Sequence, residues 1–161
     1  MNSITIWRLS ERHYSVARLL VTLMADVFGE EYGDEYKNLS DSYLSHLLMR
    51  KDFWMLVALM DGNIIGGLTA HQLPMTRSES SELFIYDLAV HTQHQRKGIG
   101  RSLVDSLCTM ALEAGISYVF VPADNEDTHA LDFYSAIGGT PSPVTFFSFE
   151  ISANEKKIMP K

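Results

Sequence analysis

The chain has 161 residues and a formal net charge of −7, a length that suits one domain with a complete core, here expected over 1–161. Apolar residues make up 46% and charged residues 20%, which excludes disordered and collagen-like chains. The acidic balance argues against nucleic acid or anionic membranes as partners and suits a cationic small molecule.

A lone cysteine, Cys108, cannot close an intramolecular disulfide. Residues 1–8 lack a signal-peptide layout, and no apolar run approaches the roughly 18 residues of a membrane span, so the cytoplasm is the expected compartment. In chain order, Ile4, Ile6 and Trp7 suggest a short strand. Val16, Leu19, Leu20, Leu23, Met24 and Val27 then recur on one face of a helix that Gly29 interrupts. Ser40 is placed to cap a second helix carrying Tyr43, Leu44, Leu47 and Leu48. The runs 53–60 and 64–73 are rich in strand formers and joined by Asp61, Gly62 and Asn63, an antiparallel pair across a hairpin turn.

Leu83 to Val90 predicts a further strand, leading through a polar loop into a helix with Leu103, Val104, Leu107, Met110 and Ala111 inward and Gly115 at its end. A strand over 116–121, a helix over 128–137 and a last strand over 144–151 complete the order. No repeat or linker interrupts it, and the class is mixed α/β.

The chemistry concentrates between Asp87 and Val104, in a strand, a polar loop with two glycines and a helix. Glycines let the backbone approach an anion, and a helix N terminus favours negative charge. Arg96, Lys97 and Arg101 add positive charge, and Ser102 lies in the helix's first turn. A tight structural turn is the other reading of the same glycines. Gly98-Ile99-Gly100 lacks the third small residue of a dinucleotide fingerprint, and no Gly-Lys-Ser/Thr closes a P-loop.

Gln95-Arg96-Lys97-Gly98-Ile99-Gly100 resembles the acetyl-CoA pyrophosphate motif of the GNAT superfamily, Gln/Arg-x-x-Gly-x-Gly/Ala, and follows a strand ending in Leu-Ala-Val as in that family. Within that superfamily the chain resembles the gentamicin-type aminoglycoside 3-N-acetyltransferases. The stretches that carry the likeness are 28–34, 41–44 with Leu47 and Leu48, Leu73-Pro74, Ile85-Tyr86-Asp87-Leu88-Ala89-Val90, and Ala123-Asp124 with Asp127, Ala130, Tyr134 and Gly138. Two departures stand out: Asp127 where many members carry Asn, and Gly139 where an aromatic commonly follows the glycine.

The resemblance implies a GNAT fold, a mostly antiparallel central sheet flanked by helices, with acetyl-CoA bound where two central strands splay. It implies direct transfer of an acetyl group to the 3-amino group of an aminoglycoside within a ternary complex. Gln95 to Ser102 would hold the pyrophosphate, and Leu88, Ala89 and Val90 would pair with the pantetheine like an added strand. Asp127, Ala130, Phe133 and Tyr134 would complete the coenzyme site, with Tyr134 protonating the departing thiolate.

Asp87 is a charge in an apolar strand, costly unless it meets a cation or a wet cleft, and is the candidate base. Alternation turns Tyr86, the second catalytic candidate, to the opposite face unless a bulge exchanges the two. Acceptor binding falls to Tyr86, Asp87 and two acidic groups, Glu31 with Asp34 and Asp124 with Asn125 and Glu126, although such runs are also ordinary solvated surfaces. His91 and His94 have metal-like spacing but no nearby Cys and are expected in an exposed loop, so no metal is expected. Cys108 is expected as a buried small hydrophobe. Another amine, a polyamine or a protein terminus, or a non-catalytic acetyl-CoA-binding domain remain alternatives, and a homodimer stays open.

Overall fold

Strand β2, Phe53–Met60, is an unbroken apolar run because both of its faces are covered. In the computed structural model, which describes residues 3–152 and 158–160, Trp54, Leu56 and Ala58 enter one core cluster, and Phe53, Met55 and Val57 enter another. The first cluster holds Ile99, Leu103, Leu107 and Ala111 of helix α3, Ile99–Glu113. The second holds Ala17, Leu20, Leu23 and Met24 of helix α1, Tyr14–Phe28. The sheet is thus sandwiched between helices, as its two-sided hydrophobicity requires.

Residue contacts gather into two units, Met1–Pro122 and Ala123–Lys161. In the first, β1 (Ile4–Arg8), β2, β3 (Asn63–Pro74), β4 (Ser81–Val90) and β5 (Val119–Phe120) form one sheet in that order. The first four strands are antiparallel to their neighbours, and β5 is parallel to β4. α1 can lie directly on the sheet because of Gly67. A Cβ there would stand 2.5 Å from Leu20 Cδ1 and 2.6 Å from the Leu56 carbonyl oxygen. Helix α2, Asp41–Met49, starts as expected, with the Ser40 hydroxyl accepting from the Tyr43 N–H at 3.0 Å. Arg18 ties it to α1 through an ion pair with Asp41 at 2.6 Å.

The expected strand over 116–121 is shorter. Ile116 is drawn into the core, the ladder joins only Leu83 to Val119 and Phe84 to Phe120, and Pro122 follows without an N–H to extend it. Past Phe84, the edge of β4 that faced β5 has no ladder partner among the described residues.

The second unit contains helix α4, Thr128–Ala136, and a small antiparallel pair, β6 (Phe149–Ile151) with β7 (Ile158–Pro160). The expected last strand over 144–151 is therefore reduced to its end, because among the described residues only Phe149, Glu150 and Ile151 of that run find partners. α4 closes in a Schellman turn: Gly138, at φ 103°, donates to the Ser135 carbonyl, and Gly139 donates to that of Tyr134 at 2.8 Å. A Cβ on Gly139 would lie 2.8 Å from the same carbonyl oxygen, so this turn has no room for a side chain there.

Candidate active site

The pairing of β3 with β4 changes register between Thr69 and Ala70: Asp87 lies opposite Thr69, Ile85 opposite Ala70, and Tyr86 is the extra residue between them. This is a β-bulge, and it resets the alternation. Ile85 and Leu88, three positions apart, both meet the α3-side cluster, whereas Ala89 joins the α1-side cluster. Tyr86 and Asp87 consequently share the face away from α3 instead of dividing between faces.

Asp87 is half-buried, and its Oδ2 accepts from the Thr69 hydroxyl at 3.2 Å. Burial raises its pKa, while the Thr69 hydrogen bond and the charge of His71 act in the opposite direction. Tyr86 is 64% exposed. Its ring stands edge-on to His71 at 5.6 Å and to Phe84 at 5.7 Å. Tyr32, in the turn after α1, has its pKa raised by burial and then by the charges of Asp87 and Tyr36. Rings of Phe28, Tyr32 and Tyr36 follow one another at 5.8 Å.

Thr69, His71 and Tyr32 surround the candidate base Asp87 and are residues that sequence reasoning did not single out. The available signal was polar residues at alternate positions, Thr69 and His71, inside an apolar strand run.

At the other end of β4, the Gln95 side chain donates to the Val90 carbonyl at 3.0 Å, bracing the loop against the strand. Arg96 and Gly98 both take left-handed backbone, at φ 61° and 82°. Ile99 and Gly100 are buried, and Ser102 turns its N–H and hydroxyl to the Gly98 carbonyl, each at 3.0 Å. Lys97 reaches back to the Gln93 carbonyl at 2.9 Å. The opening turn of α3 directs its N–H groups out of the helix end. A Cβ at Gly98 would meet no protein atom within 4 Å, so the space before the loop is open to an anion. Leu88, Ala89 and Val90 form the part of β4 whose outer edge β5 leaves free among the described residues. A phosphate-bearing coenzyme with an extended, amide-containing arm fits this loop and edge.

In the second unit, Asp127 caps α4, its Oδ1 accepting from the Ala130 N–H at 3.0 Å. Phe133 and Tyr134 pack edge-to-face at 4.9 Å. The Tyr134 pKa is pushed up to about 12 by burial and then by the charge of Asp127. Asp124 accepts from the Glu126 N–H at 2.9 Å, making a local turn, and Asn125 and Glu126 are exposed.

Of the N-terminal acids, Glu31 and Asp34 are both exposed, and Asp34 pairs with Lys37 at 2.6 Å. His91 and His94 are half-buried rather than exposed, their rings 5.7 Å apart. Cys108 is exposed, not buried as expected, because it lies one position beyond the Leu103–Leu107 stripe. Partial desolvation of the thiol by its neighbours and then Asp105 raise its pKa, the reverse of an activated nucleophile.

The model of the Acetyltransferase (GNAT) family matches residues 16–138. The chain belongs to the GNAT acetyltransferase family. This GNAT chain superposes on an aminoglycoside acetyltransferase from an uncultured soil metagenomic sample with a TM-score of 0.86 and 32% identity, over 93% of this chain and 99% of the other. A second such metagenomic enzyme, solved in complex with sisomicin, gives a TM-score of 0.84 and 35% identity over 92% and 97% of the two chains. N-acetyltransferase family 8 member 2 of Rattus norvegicus is 28% identical over 101 residues, 63% of this chain. The GNAT chain spans under half the length of the curated relatives it matches, 44% in that case.

Proposed function

We propose that the protein is an acetyl-CoA-dependent N-acetyltransferase whose acceptor is an aminoglycoside, acetylated at its 3-amino group. One observation carries the reading: the β4 bulge sets an oriented, half-buried carboxylate, Asp87, beside the strand edge that would align the coenzyme. Similarity to the metagenomic aminoglycoside acetyltransferases, one of them solved with sisomicin, supports the acceptor class. The 3-amino position rests on the resemblance of the 85–90 and 28–34 segments to the gentamicin-type enzymes.

Acetyl-CoA would supply the activated thioester. Residues 95–102 would hold its pyrophosphate through backbone N–H groups, and the edge of β4 at Leu88 to Val90 would orient its arm. An N–H near Leu88 would face the thioester oxygen. Asp87 takes a proton from the acceptor ammonium, because a carboxylate made more basic by burial is a better acceptor than an exposed one. Thr69 fixes the Oδ2 side of that carboxylate and so its direction. Tyr134 is assigned the proton donated to the departing thiolate. A phenol whose pKa is about 12 keeps its proton at neutral pH, the state that a donor requires.

The test is incubation with acetyl-CoA and a panel of aminoglycosides, polyamines and peptides, following free thiol and locating the new amide by NMR. The expected result is turnover with aminoglycosides and an amide at the 3-amino nitrogen. An amide at another nitrogen refutes the position, turnover on peptides or polyamines alone refutes the acceptor, and coenzyme binding without turnover refutes catalysis.

A further inference from the structure

An imidazole stands between two carboxylates on the sheet face that carries Tyr86 and Asp87. His71 of β3 is paired with Phe53 of β2 on one side and with Phe84 of β4 on the other. Thr69, two residues earlier on the same strand and so on the same face, lies opposite Asp87. The bulge at Tyr86 fits three steps of β4, from Phe84 to Asp87, against two of β3, which makes Asp87 the diagonal neighbour of His71. Diagonal neighbours have Cα atoms about 7–8 Å apart, a span that a carboxylate and an imidazole bridge directly or through one water. The ring itself is half-buried and held edge-on between Phe53 at 5.3 Å and Tyr86 at 5.6 Å.

The second carboxylate is Asp52, the residue before β2, whose carbonyl accepts from the Gln72 N–H at 2.7 Å. Arg50 bonds both of its side-chain oxygens, at 2.9 Å and 2.8 Å, and holds it ionised, and the charge of His71 acts in the same direction. At Asp87 that charge opposes the larger effect of burial. His71 therefore faces a carboxylate that burial makes more basic and another that its arginine keeps as an anion.

Acetylating an ammonium forms a C–N bond, breaks a C–S bond and releases one net proton, because nitrogen loses two and sulfur gains one. Asp87, as the base, holds that proton and must lose it before the next turnover. Its neighbours in the unit Met1–Pro122 differ in what they can take. The Thr69 hydroxyl already donates to Oδ2 and has no use for a second proton. Tyr86 and Tyr32 are phenols, which accept no proton at neutral pH, and in Tyr32 burial and then Asp87 and Tyr36 strengthen the hold on the one it has. Imidazole is the side chain that exchanges protons near neutral pH, and an ionised Asp52 beyond it favours the imidazolium.

We propose that His71 takes the acceptor's proton from Asp87 and passes it to water on the Asp52 side, resetting the base for each turnover. The Asp87 O–H bond breaks as an N–H bond forms on His71, and the imidazolium then gives its proton to solvent, so both side chains return to their starting state. His71 acts through Asp87 as a positioning residue of the proton path and does not meet the acceptor. The inference rests on the acetyltransferase reading and deepens it.

The experiment follows sisomicin acetylation at saturating acetyl-CoA and sisomicin in the wild type, His71→Phe and His71→Ala. Phenylalanine keeps a ring between Phe53 and Tyr86, so the melting temperature should stay within a few degrees and acetyl-CoA affinity within about twofold, while kcat falls about tenfold. In His71→Ala, added imidazole should restore kcat in proportion to its neutral form, and hence more strongly as pH rises. Pyrazole, a ring of the same size and a far weaker base, should not. Wild-type kcat in His71→Phe overturns the relay, since the Asp87 proton then reaches water unaided, and leaves acetylation standing. Equal rescue of His71→Ala by imidazole and pyrazole also overturns it, because any ring filling the space would then serve. Absence of turnover in the wild type refutes acetylation itself and the relay with it.

Discussion

Burial of the Asp87 carboxylate favours its protonated form, so its pKa is raised above that of the unfolded chain. A raised pKa gives a stability contribution that is complete below the unfolded value of about 3.9 and is lost as pH rises through the folded value. At neutral pH the ionised carboxylate therefore weakens the fold while serving as base. Asp87→Asn removes the charge and still offers Thr69 an acceptor. It should melt above the wild type at pH 7, lose that advantage in acid, and turn over about 10²- to 10⁴-fold more slowly. Calorimetry across pH with saturating kinetics checks both halves, and wild-type turnover would return Asp87 to the solvated face. The acid limb of kcat/KM should likewise lie above the ordinary aspartate range, because the base must be ionised to act. Tyr134 offers the complementary case, since Tyr134→Phe keeps the ring against Phe133 and deletes only the proton. Turnover should fall by about 10²-fold with coenzyme affinity unchanged; equal turnover would reduce Tyr134 to packing.

At the scale of elements, the loop before α3 separates two effects that a β-branched residue at Gly98 would confuse. Gly98 sits at φ 82°, so valine there would strain the backbone as well as obstruct an anion. Asparagine tolerates left-handed backbone. Gly98→Asn should keep its melting temperature within a few degrees of the wild type yet bind acetyl-CoA at least tenfold more weakly, as measured by calorimetry. Gly67→Ala should do the opposite. Its methyl group would press on Leu20 and the Leu56 carbonyl and cost about 1–3 kcal/mol in urea unfolding. These glycines also mark what was legible in the sequence. Gly98 announces itself by its place between a strand and an amphipathic helix, and α1 and α3 are visible through the spacing of Leu20, Leu23, Leu103 and Leu107. The bulge at Tyr86 could be raised as a possibility but not located, because apart from Asp87 the run from Leu83 to Val90 is apolar on both faces and gives no broken alternation to read. His71 escapes for a related reason: its meaning depends on Phe53, Phe84 and Asp87, which only strand register brings beside it.

Across the whole molecule, a net charge of −7 coexists with Arg96 and Lys97 of the loop and Arg101 of the first turn of α3, within six positions of one another. The two proposed ligands have opposite charges, an anionic coenzyme and a polycationic acceptor, so salt should act on each separately. Ionic strength screens exposed pairs over a Debye length of about 8 to 10 Å, and acceptor KM should therefore climb with salt. Coenzyme affinity should weaken less where it depends on backbone N–H groups than where it depends on exposed lysine and arginine. Local variants sharpen the expectation, because the acids are not equivalent. Lys37 lies 2.6 Å from Asp34 and already offsets that charge, whereas Glu31 pairs with no cation among the described residues. Glu31→Gln should thus raise acceptor KM more than Asp34→Asn, with kcat little changed in both. Asp124→Asn keeps an oxygen for the Glu126 N–H and so tests charge at an intact turn. Steady-state kinetics at low and high salt read all three variants. If acceptor KM is flat in salt and the three amides match the wild type, the acidic surface plays no part in recognition, and selectivity must lie nearer Asp87.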